Sequence, residues 1–189
     1  GVIRAIGVSN HSPAQMDAFR AVAPLHTNQP PYNLFERAIE DDVLPYCRAH
    51  GIKLVTYSAL CRGLLTGKMT PDYAFADDDL RASVDPKFQP PRFAQYLEAV
   101  DRLDRLARER YGKRVLHLAV RWILDRGVDV ALWGARRPEQ LDPVDEVAGW
   151  SIDAAAMDEI DRILEETISD PVGPEFLAPP TRDAVASDE

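Results

Sequence analysis

Four short stretches hold side chains suited to gripping a polar, anionic ligand. In "VTYSALCRGLLTGK", residues 55–68, three strand-favouring residues, Val55, Thr56 and Tyr57, run into a hydroxyl (Ser58), a thiol (Cys61), a guanidinium (Arg62) and a glycine (Gly63). The fork of an arginine pairs with phosphate oxygens, and a glycine lets the backbone come close to a ligand. Arg62 with Lys68, and Arg136 with Arg137, place four cations in two tight spots. In "GARRPEQ" a glycine, an alanine and two arginines precede Pro138, a residue suited to a first helical turn; backbone N–H groups at such a start attract phosphate. A solvated arginine pair is the competing reading. Ser9, Asn10 and Gln29 offer a hydroxyl and two amides, which could grip a ligand or cap loops.

These residues need elements to hold them. "RAIGVSN" reads as a strand stopping at Ser9-Asn10. "SPAQ" starts a helix, with Ser12 as N-cap, Pro13 at the first position and Gln15 completing a capping box. A second strand covers residues 25–29 and is stopped by Pro30-Pro31. A helix follows in "AIEDDVLPYCRAHG", with Pro45 near its first turn and Gly51 as its stop. "IKLVTYS" is the third strand and "VDVALWG" the fourth. Residues 72–91, with Asp77-Asp78-Asp79 and three prolines, read as a long excursion and a mobile lid. Apolar residues at 97, 100, 103 and 106 give a helical period, "VLHLAVRWILDRG" a second helix, "RPEQLDPVDEVAGW" the start of a third, and "DAAAMDEIDRILEE" a last one. The Pro-rich stretch 171–189 reads as a loosely held tail after a domain covering 1–170.

Strand and helix thus alternate four times, the pattern of a parallel sheet with crossover helices. A small open α/β sheet and half of a (β/α)₈ barrel both satisfy it. The 189 residues suit one domain, and the net charge of −9 argues against nucleic acid as a partner. Cys47 and Cys61 form no CxxC pair, so metal and dithiol chemistry find no support, and two cysteines fit a reducing, cytoplasmic setting. No apolar run reaches membrane-spanning length. The four histidines, at 11, 26, 50 and 117, read as solvated or packed.

"RAIGVSN", "TNQPPYNLFER", "YSALCRGLLTGK" and "WGARRPEQL", in that order and each at a strand end, together resemble the aldo-keto reductase family, in particular a bacterial general-stress-type branch. The resemblance implies the C-terminal half of a (β/α)₈ barrel, strands five to eight, binding NADP(H) across the strand ends. It implies roles for individual residues: Ser9, Asn10 and Gln29 at the nicotinamide carboxamide, and Tyr57 stacked on the ring. Ser58, Leu60, Arg62 and Gly63 would meet the pyrophosphate, Gly134, Ala135 and Arg136 the 2′-phosphate, and Gln140 the adenosine. Where members of the family often carry Glu-Asn shortly after that Gln, this chain has Pro143 and Val144. The family's catalytic Asp, Tyr, Lys and His would lie ahead of this chain. On that view the chain is a fragment, inactive alone, that self-associates or pairs with a missing N-terminal half. The intact protein would be an NADP(H)-dependent oxidoreductase acting on a small carbonyl compound. The rival reading is a non-catalytic NADP(H)-binding regulatory subunit, as potassium-channel β subunits resemble this family, or a truncated relic.

Overall fold

In a computed structural model, which describes residues 1–76 and 79–173, four parallel strands form one sheet in the order β1-β2-β3-β4. They are β1 (Gly7–Ser9), β2 (Thr27–Gln29), β3 (Lys53–Thr56) and β4 (Val130–Ala131). Chain order equals spatial order, so the sheet has no switch point. That is the topology of a barrel wall rather than of a doubly wound sheet. β1 and β2 pair from Gly7↔Thr27 to Ser9↔Gln29, β2 and β3 pair Asn28↔Leu54, and β3 and β4 pair Thr56↔Ala131. A Cβ at Gly7 would fall 2.0 Å from Thr27 Oγ1, so this close approach requires glycine.

Helices α1 (Pro13–Arg20) and α2 (Val43–Ala49) follow β1 and β2. The Ser12 box forms as read: Gln15 N–H donates to Ser12 Oγ and Ser12 N–H to Gln15 Oε1, at 3.3 and 3.0 Å. The helix expected across 38–51 is shorter, because a 3₁₀ turn, Ala38–Glu40, precedes α2. After β3 come a kinked 3₁₀ segment, Cys61–Thr66, the short α3 (Leu80–Ser83) and a 3₁₀ turn, Pro86–Phe88. The long α4 (Arg92–Tyr111) buries Val100, Leu103 and Leu106, and Gly112, at φ 63°, ends it. α5 (Val115–Asp125) is buried on nearly every side, and α6 (Ala154–Thr167) packs on α4.

Two expectations change here. No α-helix follows Arg137; the chain makes 3₁₀ turns at Pro138–Gln140 and Asp142–Val147. Pro143 has no N–H, so a helix begun at Pro138 would lose its ladder in the second turn. The lid reading also gives way for the described part of the excursion, because Lys87 and Phe88 are buried and Phe88 packs on Phe75 and Phe93 at 5.6 and 6.0 Å. Asp77 and Asp78, and the tail from 174 onward, lie outside the described residues.

Trp122 is fully buried, 5.0 Å from the Tyr32 ring, with the guanidinium groups of Arg37 and Arg126 each 5.2 Å from its own ring. Trp122→Ala is expected to lower unfolding stability by about 3–5 kcal/mol. Leu141→Ala, at a residue 50% exposed, should stay within about 0.5 kcal/mol. Urea unfolding curves of the two variants check the contrast.

Candidate functional site

Because all four strands run the same way, their C-terminal ends share one face, and that face collects the polar residues. Ser9 ends β1 and Gln29 ends β2 in register. The Ser9 hydroxyl donates to the Gln29 carbonyl at 2.9 Å, and Asn10 N–H donates to the same oxygen at 3.3 Å. Tyr57, one residue past β3, reaches across Gln29: its hydroxyl donates to Asn10 Oδ1 at 3.1 Å. Asn10 is held left-handed at φ 58°, a conformation asparagine tolerates better than most residues. With Asn10 Oδ1 taken, its amide nitrogen remains a donor, and Ser9 Oγ keeps acceptor capacity. The pair can therefore satisfy a primary carboxamide.

The stage beneath is fixed by Asn28, which the sequence reading did not single out. It is fully buried, and its amide donates to the His11 carbonyl at 3.0 Å. That bond ties the loop after β1 to β2. The local signal was a polar residue flanked by strand positions, which also describes an exposed strand residue, so it does not reveal burial.

The loop after β3 is bent sharply. Ser58, Cys61 and Arg62 have φ of 65°, 46° and 52°, and Gly63 has 94°. Three of these carry a Cβ and favour other conformations, so surrounding contacts must hold the loop. Those contacts are buried and charged. Asn33 donates to Glu36 Oε2 at 2.7 Å and to the Ser58 carbonyl at 3.1 Å. Lys87 Nζ lies 2.9 Å from Glu36 Oε1 and 3.0 Å from Asp85 Oδ1, and Asp85 Oδ2 lies 3.6 Å from Arg62 Nε. Neither Glu36 nor Lys87 was singled out in the sequence. They lie 51 positions apart, and no local period links them.

Cys61, next to Glu36, is fully buried; desolvation first, then the Glu36 charge, pushes its thiol up. Burial likewise lifts Cys47 to about 11. Both environments disfavour the reactive thiolate.

Between this loop and the turn after β4 lies a cleft of about 400 Å³, lined among others by Leu60, Lys68, Arg114, Trp133, Gly134 and Gln140. Lys68 thus faces the cleft, whereas its sequence neighbour Arg62 turns toward Asp85. Arg136 and Arg137 are exposed. Their N–H groups both donate to Gln140 Oε1, at 2.7 and 3.0 Å, so Gln140 closes the turn it was expected to reach out from. Glu139, Asp142 and Glu146 also line the cleft and oppose its cations.

Tyr32, just past β2, is a tyrosine near a strand's C-terminal end that could be asked to donate a proton. It is fully buried, its hydroxyl donates to Glu40 at 2.6 Å, and desolvation raises its pKa well above the usual value. It does not face the polar end of the sheet. Among the described residues, no cluster of three or more His, Cys, Asp or Glu side chains is grouped to hold a metal, and no helix is long and apolar enough to cross a membrane.

A parallel barrel wall with polar residues gathered at its strand ends defines a class, and comparison with known proteins gives the family. The chain belongs to the aldo/keto reductase family, whose model matches residues 1–165. It is 63% identical over 186 residues to the aldo-keto reductase YhdN of Bacillus subtilis (strain 168), covering 98% of this chain and 56% of that protein. It is 33% identical over 171 residues to an NADH-specific methylglyoxal reductase of Escherichia coli K12, covering 87% of this chain and 51% of that protein. The structure of the glycerol dehydrogenase AKR11B4 from Gluconobacter oxydans superposes with a TM-score of 0.86 at 55% identity, covering 93% of this chain and 53% of that one. The chain spans about half the length of these relatives.

These matches correct one expectation. The four units were taken as strands five to eight, the C-terminal half of the barrel. The family model matches the chain from residue 1, and the 55% identical structure covers nearly all of it. They establish a portion of a (β/α)₈ barrel, and the C-terminal-half assignment is withdrawn. The inference that the catalytic residues must all lie ahead of this chain falls with it.

One group beside the cleft gives a pH test. His117 in α5 is buried; its Nδ1 accepts from Arg114 N–H at 3.3 Å, and Nε2 lies 3.9 Å from Glu146. Desolvation holds its pKa below 6.5, with Glu146 opposing and Arg114 and Lys113 assisting. The unfolded chain therefore takes up this proton first. The contribution is fully present above about pH 6.5 and is lost as pH falls toward the folded value. Stability should decline between pH 7 and 5, and His117→Asn should make that decline shallower in urea unfolding at stepped pH. An unchanged slope would show that His117 does not report on this burial.

Proposed function

We propose that the intact protein is an NADP(H)-dependent reductase of small carbonyl compounds, and that this chain supplies most of its cofactor-binding surface. The observation that carries this reading is the Tyr57–Asn10 hydrogen bond of 3.1 Å, which gathers Ser9, Asn10, Gln29 and Tyr57 at one end of the sheet beside the left-handed loop. The residues fit the group. Ser9 and Asn10 can hold a carboxamide, and the half-buried Tyr57 ring offers a flat face at the strand end. Arg62 carries a guanidinium fork with 29% of its side chain exposed, beside Ser58 and Gly63. The cleft joins apolar walls, Leu60 and Trp133, to the cations Lys68 and Arg114, as an adenosine with phosphates requires.

When bound, the nicotinamide supplies a hydride acceptor or donor. The chain's residues bind and orient: Ser9, Asn10 and Gln29 fix the carboxamide, and Tyr57 covers one ring face, which decides the side from which transfer occurs. Arg136, with Gly134 and Ala135, would meet a 2′-phosphate through its guanidinium, since the Arg136 and Arg137 amides are held by Gln140. Methylglyoxal, and glycerol in the oxidative direction, are the first substrates to assay, given the activities named for two relatives. The length of those relatives supports reading this chain as part of a larger barrel.

A second reading, preference for NAD(H), is favoured by Glu139, Asp142 and Glu146 on the cleft wall, which would repel a further phosphate. Arg136→Ala decides between them. It should weaken NADPH binding by about 1.5–3 kcal/mol and leave NADH nearly unchanged, as measured by titration calorimetry. Equal weakening of both cofactors would contradict the 2′-phosphate assignment.

Tyr57→Ala should lower turnover and cofactor affinity while circular dichroism and the melting transition change little. Loss of fold without a separable effect on binding would assign Tyr57 to the core instead.

A further inference from the structure

We propose that Lys87 is a positioning residue for the phosphate-binding arginine: with Glu36 and Asp85 it forms a buried line of alternating charges that sets the guanidinium of Arg62. The inference rests on the reading of Arg62 as a pyrophosphate contact. Lys87 has no exposed side-chain surface, and Glu36 and Asp85 have 3% and 1%. Carboxylates so removed from water need cations within reach. Lys87 serves both, at 2.9 and 3.0 Å, and Asp85 turns its other oxygen to Arg62 Nε at 3.6 Å. Two anions and two cations balance. At 3.6 Å the Arg62–Asp85 contact is a charge pairing rather than a hydrogen bond, so the guanidinium keeps its donors for a ligand.

The same segment holds the backbone. Arg81 Nη1 donates to the Arg62 carbonyl at 3.2 Å, and Asp79 orients Arg81 through Nε at 2.9 Å. Arg62 sits at φ 52°, so it needs such holding from outside its own loop. Removal of the Lys87 ammonium leaves two buried carboxylates facing one cation. Arg62 is the nearest compensating charge, and it would be drawn inward toward Asp85 and away from a ligand. Lys87 would thereby control affinity for a dinucleotide without touching it.

The test is a double-mutant cycle on the intact protein, with NADPH binding read by titration and turnover read at saturating cofactor. Arg62→Ala should weaken NADPH binding about tenfold or more. Lys87→Met and Asp85→Asn should each weaken it about fivefold or more, yet by less than about twofold in the Arg62→Ala background. Turnover of Lys87→Met and Asp85→Asn at saturating cofactor should stay within about twofold, because neither residue touches the nicotinamide end. If Lys87→Met does not fold, Asp85→Asn, which keeps the Glu36–Lys87 pair, carries the cycle. Equal losses with and without Arg62 would assign Lys87 a purely structural role and overturn the proposal. So would unchanged affinity in both relay variants while Arg62→Ala weakens binding. Unchanged affinity in Arg62→Ala itself would instead overturn the pyrophosphate reading beneath it.

Discussion

A lysine ammonium buried between two carboxylates is the contact that ties together the loops at the polar end of the sheet. Lys87 draws together three segments far apart in the chain: the loop after β2 through Glu36, the bent loop after β3 through Asp85 and Arg62, and its own Pro-flanked turn. Breaking a buried ion pair by removing one partner costs about 3–5 kcal/mol, because the remaining charge stays stranded. That cost makes the arrangement close to all-or-none, and it lets non-glycine residues persist in left-handed conformations at 58, 61 and 62.

The second constraint is the shared direction of the strands. In a parallel sheet every strand delivers its C-terminal end to one face, so Ser9, Gln29, Tyr57 and Gly134 arrive together although they span 126 positions. Short hydrogen bonds then trim the geometry. Asn28 pins one loop, Tyr57 and Asn10 lock across Gln29, and Gln140 closes the last turn. The helices serve this face from behind: Trp122 and the buried side of α5 fill the space under the sheet.

What was legible in the sequence was local. The Ser12–Gln15 box is written in adjacent residues and forms as read. The strand ends were signalled by the switch from apolar to polar residues, though β2 begins at Thr27 rather than two residues earlier. There the His26 backbone still bonds both neighbours, donating to the Ile6 carbonyl at 2.9 Å and accepting from Lys53 N–H at 2.8 Å, while its ring accepts Ile6 N–H at 3.0 Å. What was hidden is tertiary. Burial of Lys87 contradicts the ordinary behaviour of lysine; of its two partners, Asp85 lies two residues away in the same turn, but Glu36 and the burial itself come from elsewhere in the fold. Gln140 was assigned outward because its polarity suits a ligand, whereas its reach suits its own turn equally well. The placement within the barrel failed for another reason: strand-helix units look alike by period, so their position in a larger barrel is not a local property.

The proposed function lays a dinucleotide along the strand ends, from the Ser9–Asn10 corner, past the left-handed loop, to the turn after β4. Hydrogen–deuterium exchange of the intact protein with and without NADPH tests this most directly. Exchange should slow in residues 9–11, 57–66 and 133–140, with α1 and α2 unchanged. Protection confined to the recess lined by Phe35, Tyr96, Leu164 and Ile168 on another part of the surface, or no protection at a saturating concentration, would contradict it.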